Sequence, residues 1–197
     1  MASGTRERIM DVALRLFAAQ GVAATPVTAI EAGAGLSAGS GSFYRHFRDK
    51  HELLSAVLDR ELAKVAEDPI TWVRSPSPQR PPETELAERL GAELAFLRRL
   101  LPMIAILMWE RAGPNDLAGR VRQTMTARGI ELGIADLLLQ APTPPVKDDP
   151  AAAATVLISA QLGYFLSTEY FGAPPGDVEA DRFTAMLARL LVGRDLP

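Results

Sequence analysis

The sequence predicts an all-α protein, with an N-terminal three-helix helix-turn-helix domain followed by a larger helical domain and about nine helices in total. Two observations carry this prediction. Apolar residues recur at three- and four-residue spacing in segment after segment, and no segment alternates convincingly with the period of two that a half-buried strand requires. Glycines and prolines fall largely where one periodic stretch gives way to the next, as helix stops and starts. At 197 residues and 48% hydrophobic content the chain has ample material for a packed core.

The first helix spans Thr5 to Gln20. Ile9, Val12, Ala13, Leu16 and Phe17 make its apolar stripe and Gly21 its stop. Thr25 then serves as N-cap and Pro26 as first residue of a second helix reaching Gly33, with Val27 and Ile30 buried. Gly35 permits a sharp turn, and Ser37 or Ser40 caps a short third helix ending near Phe47. Asp49 and Glu52 form a capping-box-like pair before a fourth helix carrying Leu53, Leu54, Val57, Leu58, Leu62 and Val65.

Regular structure lapses between Pro69 and Pro82, where prolines cluster and Trp72 is the main apolar anchor. A fifth helix follows through Leu86, Leu90, Leu94, Leu97 and Leu101, ended or kinked by Pro102. Met103 to Trp109 reads as a sixth helix buried on most sides. Gly113-Pro114 breaks the chain, and Leu117, Val121, Met125, Leu132, Leu137 and Leu138 mark a long seventh helix capped by Asn115. After a loop from Ala141 to Pro150, an eighth helix starts at Asp149-Pro150 and runs to about Phe171. Asp177 caps a ninth, which carries Phe183, Met186, Leu187, Leu190 and Leu191 to Gly193.

Composition removes several functions. The chain has no cysteine, so it has no disulfide, thiolate metal site or thiol nucleophile. Its two histidines, His46 and His51, are five residues apart and face different ways on a helix, so neither a metal site nor a cofactor is expected. With no Gly-rich phosphate loop and no carboxylate–histidine cluster, an enzyme lacks its parts. The opening Met1–Arg6 leads into charged residues without an apolar stretch, which predicts a cytoplasmic protein. Ala151 to Leu166 is apolar but carries Thr155, Ser159 and Gln161, and reads as a buried helix rather than a membrane span.

Net charge is −3, unevenly distributed. Residues 1–50 hold six Lys and Arg against four Asp and Glu, and residues 51–197 hold fifteen against twenty. A mildly basic head on an acidic body suits a nucleic-acid-binding head.

Two short helices joined by a tight glycine-containing turn have the helix-turn-helix layout. Phe17, Gly21, Thr25, Ile30, Ala34-Gly35-Leu36-Ser37, Phe43-Tyr44, His46-Phe47, Lys50 and Leu53-Leu54 fall in order along it. On these residues the segment 5–58 resembles the DNA-binding region of the tetracycline-repressor (TetR) family. The stretch Ala38-Gly39-Ser40-Gly41-Ser42 is longer than the family's usual turn, which implies a longer turn and a later start for the third helix.

The resemblance implies a homodimer with a DNA-binding domain over 1–50 and an effector-binding and dimerisation domain over 51–197. It further implies that the fourth helix transmits the state of the ligand pocket and that the last two helices of each subunit pair into a four-helix interface. On this reading the protein is a repressor released from a palindromic, double-stranded operator by a small molecule. The alternative is a helical partner-binding protein whose helix-turn-helix-like region is structural.

Thr25, Tyr44, His46 and Lys50 supply donors for phosphate oxygens. Thr28, Ser40, Ser42 and Arg45 face the bases, and arginine has the fork that reads guanine. Ser37 and Gly41 complete the DNA-facing set. Phe47 is a core residue, and Tyr44 fits either a core or a DNA-facing role. For an apolar or amphipathic effector the candidate lining is Phe96, Leu100, Met103, Leu107, Met108, Trp109, Met125, Tyr164 and Phe165, with Glu110 and Arg111 as possible polar anchors. Such a set is more often plain core than a pocket. Candidate dimer contacts are Val156, Leu162, Phe183, Leu187 and Leu190, with Ala151–Ala154 and Ala160 allowing close approach.

Overall fold

The computed structural model describes residues 4–68, 77, 79–110, 119 and 128–193. Two compact units divide the chain, one of residues 1–67 with 100–121 and the other of residues 68–99 with 122–197. Among the described residues there is no strand, and Pro142 and Val192 form an isolated antiparallel bridge.

In the first unit, α1 (Thr5–Gln20), α2 (Val27–Gly33) and α3 (Lys50–Glu67) surround a core of Ile9, Val12, Phe17, Ile30, Phe43, Phe47, Leu53, Val57 and Leu58, each no more than 5% exposed. The predicted stripe of α1 is buried as expected, except for the half-exposed Leu16. A Cβ at Gly33 would lie 2.7 Å from Cγ1 of Val12, so the close approach of α1 to α2 requires glycine there. Asp49 Oδ1 accepts the backbone N–H groups of His51 and Glu52, while Glu52 accepts that of Arg48. This is the expected exchange across a helix start, displaced one residue on the Glu52 side.

The fourth element of this unit, α5 (Leu101–Trp109), carries Pro102 in its first turn, after the chain has broken from α4 (Pro82–Arg99) at Leu100. Pro102 has no N–H to donate and is tolerated there. The expectation that this run is buried on most sides is not met: Met103 and Ile106 are buried, while Met108 and Trp109 are 49% and 59% exposed. The Trp109 indole N–H donates to the carbonyl of Ala18 at 3.2 Å, and Glu110 accepts the N–H of Val22 at 3.4 Å, which fastens the end of α5 to the end of α1.

In the second unit, α4, α6 (Arg128–Leu139), α7 (Pro144–Asp148), α8 (Pro150–Tyr170) and α9 (Ala180–Leu191) share a core of Leu86, Leu90, Leu137, Val146, Ala154, Leu157, Leu187, Ala188 and Leu191. The predicted loop 141–150 contains α7, a short helix that buries Val146. Asp149 caps α8 as predicted, accepting the N–H of Ala152 at 3.0 Å. Glu179, not Asp177, precedes α9; Asp177 belongs to a 3₁₀ turn, Pro175–Asp177. Trp72, Asn115, Leu117, Val121 and Met125 lie outside the described residues.

Candidate nucleic-acid interface

Between α2 and α3 the chain must reverse, bury Phe43 and Phe47, and present polar groups outward. The predicted third helix is reduced to a single 3₁₀ turn, Ser42–Arg45. Gly35, Gly39 and Gly41 have φ of +72°, +77° and +71°, and a run of left-handed residues cannot continue a right-handed helix. The longer turn anticipated for Ala38–Ser42 is present, and a late-starting third helix becomes one turn. Within it, Ser40 N–H donates to Ser37 O at 3.1 Å, the Ser40 and Ser42 hydroxyls are 2.8 Å apart, and Tyr44 N–H donates to Gly41 O at 3.1 Å.

Beneath this turn lies a residue that sequence reasoning missed. Glu31 of α2 is 1% exposed, and its two oxygens accept the N–H groups of Gly39 at 2.7 Å and Phe43 at 3.0 Å. The available signal was an acidic residue directly after the buried Ile30, ahead of a turn rich in glycine and serine. Backbone N–H groups in such a turn need acceptors that a helix would otherwise provide.

The predicted DNA-facing residues separate into two groups. Thr28, Ser37, Ser40, Tyr44 and Arg45 are exposed, and Gly41, Ser42 and His46 partly so. Tyr44 is 61% exposed, its ring edge-on to Phe43 with centroids 5.2 Å apart, which resolves its role away from the core. Thr25 and Lys50 are turned inward, contrary to the phosphate-donor reading. Thr25 is fully buried and donates its hydroxyl proton to Gly21 O at 2.7 Å. Nor is Thr25 the cap of α2, where Pro26 takes that position without a side-chain bond. The Lys50 ammonium donates to the carbonyls of Val22, Ala23 and Thr25, which exhausts its three protons.

Arg48, not singled out from sequence, is 84% exposed in its side chain and lies 3.4 Å from Asp49. Backbone N–H donation from Glu52, with Arg48 beside it, holds the Asp49 carboxyl below the ordinary carboxylate range. Asp49 is thereby kept as a charged cap at the start of α3.

Residues 9–57 match the profile of bacterial regulatory proteins of the tetR family. The segment 9–57 carries the likeness to that family. Over 66 residues it is 41% identical to the HTH-type transcriptional regulator AcrR of Shigella flexneri, a match covering 34% of this chain and 30% of AcrR. Over 111 residues it is 29% identical to the uncharacterized HTH-type transcriptional regulator YerO of Bacillus subtilis, covering 56% of this chain and 37% of YerO. The chain thus spans about a third of the length of these relatives.

Whole-chain likeness comes from solved structures. A TetR-like transcriptional regulator from Rhodococcus sp. RHA1 superposes with a TM-score of 0.65 at 23% identity, covering 94% of this chain and 92% of the other. Reduced NemR of E. coli superposes with a TM-score of 0.71 at 16% identity, covering 98% and 100%. At such identities these likenesses establish the all-helical fold alone.

The candidate effector-pocket residues are divided between the two units: Leu100, Met103, Leu107, Met108 and Trp109 in one, Phe96, Tyr164 and Phe165 in the other. Met125 lies outside the described residues. Tyr164 is committed internally, its ring stacked on Phe183 at 4.3 Å and its hydroxyl donating to Val178 O at 2.9 Å. Burial pushes its phenol above the ordinary value. Glu110 faces Val22, and Arg111 lies outside the described residues.

The dimer candidates also divide. Val156 and Leu162 of α8 are 59% and 41% exposed, and on α9 Leu190, at 59%, is joined by the exposed Met186. Phe183 is partly covered, and Leu187, at 7% exposure, belongs to the unit's own core and not to an outer surface. The helix Pro150–Tyr170 is long and apolar enough to cross a membrane by length and composition. It is not a buried helix, as expected from sequence, but a two-faced one: Ala154, Leu157, Gln161, Tyr164 and Phe165 point inward while Val156 and Leu162 are exposed.

Proposed function

We propose that this chain is a member of the tetR family, a cytoplasmic homodimeric repressor that binds a palindromic, double-stranded operator and is released by a small apolar or amphipathic molecule. The observation that carries the proposal is the surface over the 3₁₀ turn. There Ser37, Ser40, Gly41, Ser42, Tyr44, Arg45 and His46 present hydroxyl, imidazole and guanidinium groups around a buried Phe43–Phe47 base, and Thr28 is exposed on α2. Tyr44 and His46 position the protein on phosphates, and Arg45 reads a base edge.

Residues 1–50 carry the DNA contacts, and the remainder holds the effector and the dimer contact. One such head binds weakly, and pairing two a helical turn or a multiple apart yields the affinity a palindrome offers. The exposed apolar residues Val156, Leu162, Met186 and Leu190 on α8 and α9 supply a surface for that pairing. The effector acts by shifting α3, which changes the separation of the two heads, and a coupling of about 1–3 kcal/mol is enough to matter.

The test is retention of fragmented genomic DNA by the purified protein at near-physiological salt, followed by sequencing. One enriched palindrome supports the proposal, and Arg45→Ala then relaxes the preference at one position of each half-site. A folded protein that retains no DNA even at low salt, where phosphate attraction is greatest, overturns it in favour of a partner-binding role.

A further inference from the structure

We infer that Glu31 is the positioning residue of the DNA-reading turn, and that its buried carboxylate sets sequence discrimination rather than general attraction to DNA. The inference rests on the DNA-binding reading above.

The turn cannot fix its own place. Gly39 and Gly41 bring no side chain that could pack, and both occupy the left-handed region. Among the described residues, the other hydrogen bonds of Ala38–Ser42 are local: Ser40 to Ser37, Ser42 to Ser40, and Tyr44 to Gly41. Their partners move with the turn, so they fix its form but not its place. Glu31 is different because it belongs to α2, eight residues before Gly39 and twelve before Phe43. One oxygen holds the entry of the reading segment and the other its 3₁₀ turn.

Only a carboxylate can do this. It is acceptor-only on both oxygens, whereas an amide offers one acceptor and one NH₂. In Glu31→Gln either Gly39 N–H or Phe43 N–H meets a donor. Phe43 stays anchored by its fully buried ring, so the released end is the one bearing Ser40, Gly41 and Ser42. If the binding-competent turn is then populated about a tenth of the time, apparent operator affinity falls about tenfold. Attraction to arbitrary DNA depends on exposed charge, which the substitution leaves in place.

The experiment compares wild type and Glu31→Gln on two probes: the duplex that wild type selects from a random-sequence library, and a scrambled duplex of equal length. Amide hydrogen exchange of Gly39 and Phe43 is read in both proteins. The expected result is a loss of about tenfold or more on the selected duplex, little change on the scrambled one, and faster exchange at Gly39 while Phe43 and core amides of α1 and α3 keep their protection. Equal affinity for the selected duplex in a folded Glu31→Gln overturns the inference. So does rapid exchange of Gly39 and Phe43 in the wild type, a measurement that stands even if the variant does not fold. Failure of the wild type to select any duplex is a failure of the DNA-binding reading, and the exchange data then still decide whether Glu31 holds the turn.

Discussion

The ammonium of Lys50 lies 2.7 Å from the carbonyl oxygen of Val22, a residue 28 positions earlier in the chain. With Ala23 and Thr25 it completes a strap from the first residue of α3 to the turn after α1. Hydrogen bonds to a charged group contribute more than neutral ones, so Lys50→Met is expected to destabilise this unit by about 1–3 kcal/mol in urea unfolding. Operator affinity should keep its salt dependence. A fall of about one in the slope of log affinity against log salt would instead make Lys50 a phosphate ligand.

Lys50 also illustrates what the sequence could not reveal. Periodicity located α1, α3, α4 and α9 because each buries a stripe whose spacing is written in the chain, and the Thr25-Pro26 and Asp149-Pro150 starts located α2 and α8. The positive φ at Gly39 and Gly41 is a backbone property, and Ser37 or Ser40 reads equally well as a helix cap or a turn residue. That ambiguity turned one 3₁₀ turn into an expected helix. Glu31, Thr25 and Lys50 were misjudged for a related reason: a polar side chain announces a need for partners, but not whether those partners are solvent, DNA or a backbone far away in sequence. Leu187 and Leu190 both fit the apolar periodicity of α9, and only three-dimensional packing separates core from surface.

Arg60 is 17% exposed in its side chain and joins α3 to α1. Its guanidinium lies 3.0 Å from Glu7 and 2.8 Å from Asp11, and 3.1 Å from Glu61 on its own helix. One planar fork serves three carboxylates, and removing it leaves them facing one another. Arg60→Met should lower the stability of the unit by about 1–3 kcal/mol, and Arg60→Lys should recover less than half of that, since a single ammonium cannot span the same directions. Full recovery in Arg60→Lys, measured by urea unfolding, would reduce the site to simple charge neutralisation.

Leu187 and Leu190 are close in sequence and opposite in environment, at 7% and 59% exposure. Leu187→Ala creates a cavity in the core with Leu86, Leu90 and Leu157, and should cost about 2–5 kcal/mol whatever the protein concentration. Leu190→Glu removes no buried packing, so its effect should appear in association: a smaller species in sedimentation, with helical content preserved. If Leu190→Glu sediments as wild type does, the outer faces of α8 and α9 are not the dimer contact.

Glu93 carries the pH prediction. Burial raises its carboxyl above the ordinary value of 4.5, outweighing Arg89, whose Nε is 3.2 Å away; Gln161 lowers it further by hydrogen bonding and Asp136 raises it by its charge. Asp136, paired with Arg89 at 3.0 Å, is likewise raised by burial. A carboxyl raised on folding keeps its proton in the native state at a pH where the unfolded chain has released it. Its stabilising contribution is therefore complete below the unfolded value and is lost as pH rises through the folded one. Glu93→Gln keeps the shape and a hydrogen-bonding head but does not titrate. Relative to the wild type, its melting temperature should rise progressively from about pH 4 toward neutrality, where the wild type bears the cost of a second charged carboxylate beside Asp136. Thermal melts of the two proteins across that range test this directly, and a difference that stays constant with pH would mean that Glu93 titrates alike in the folded and unfolded chain.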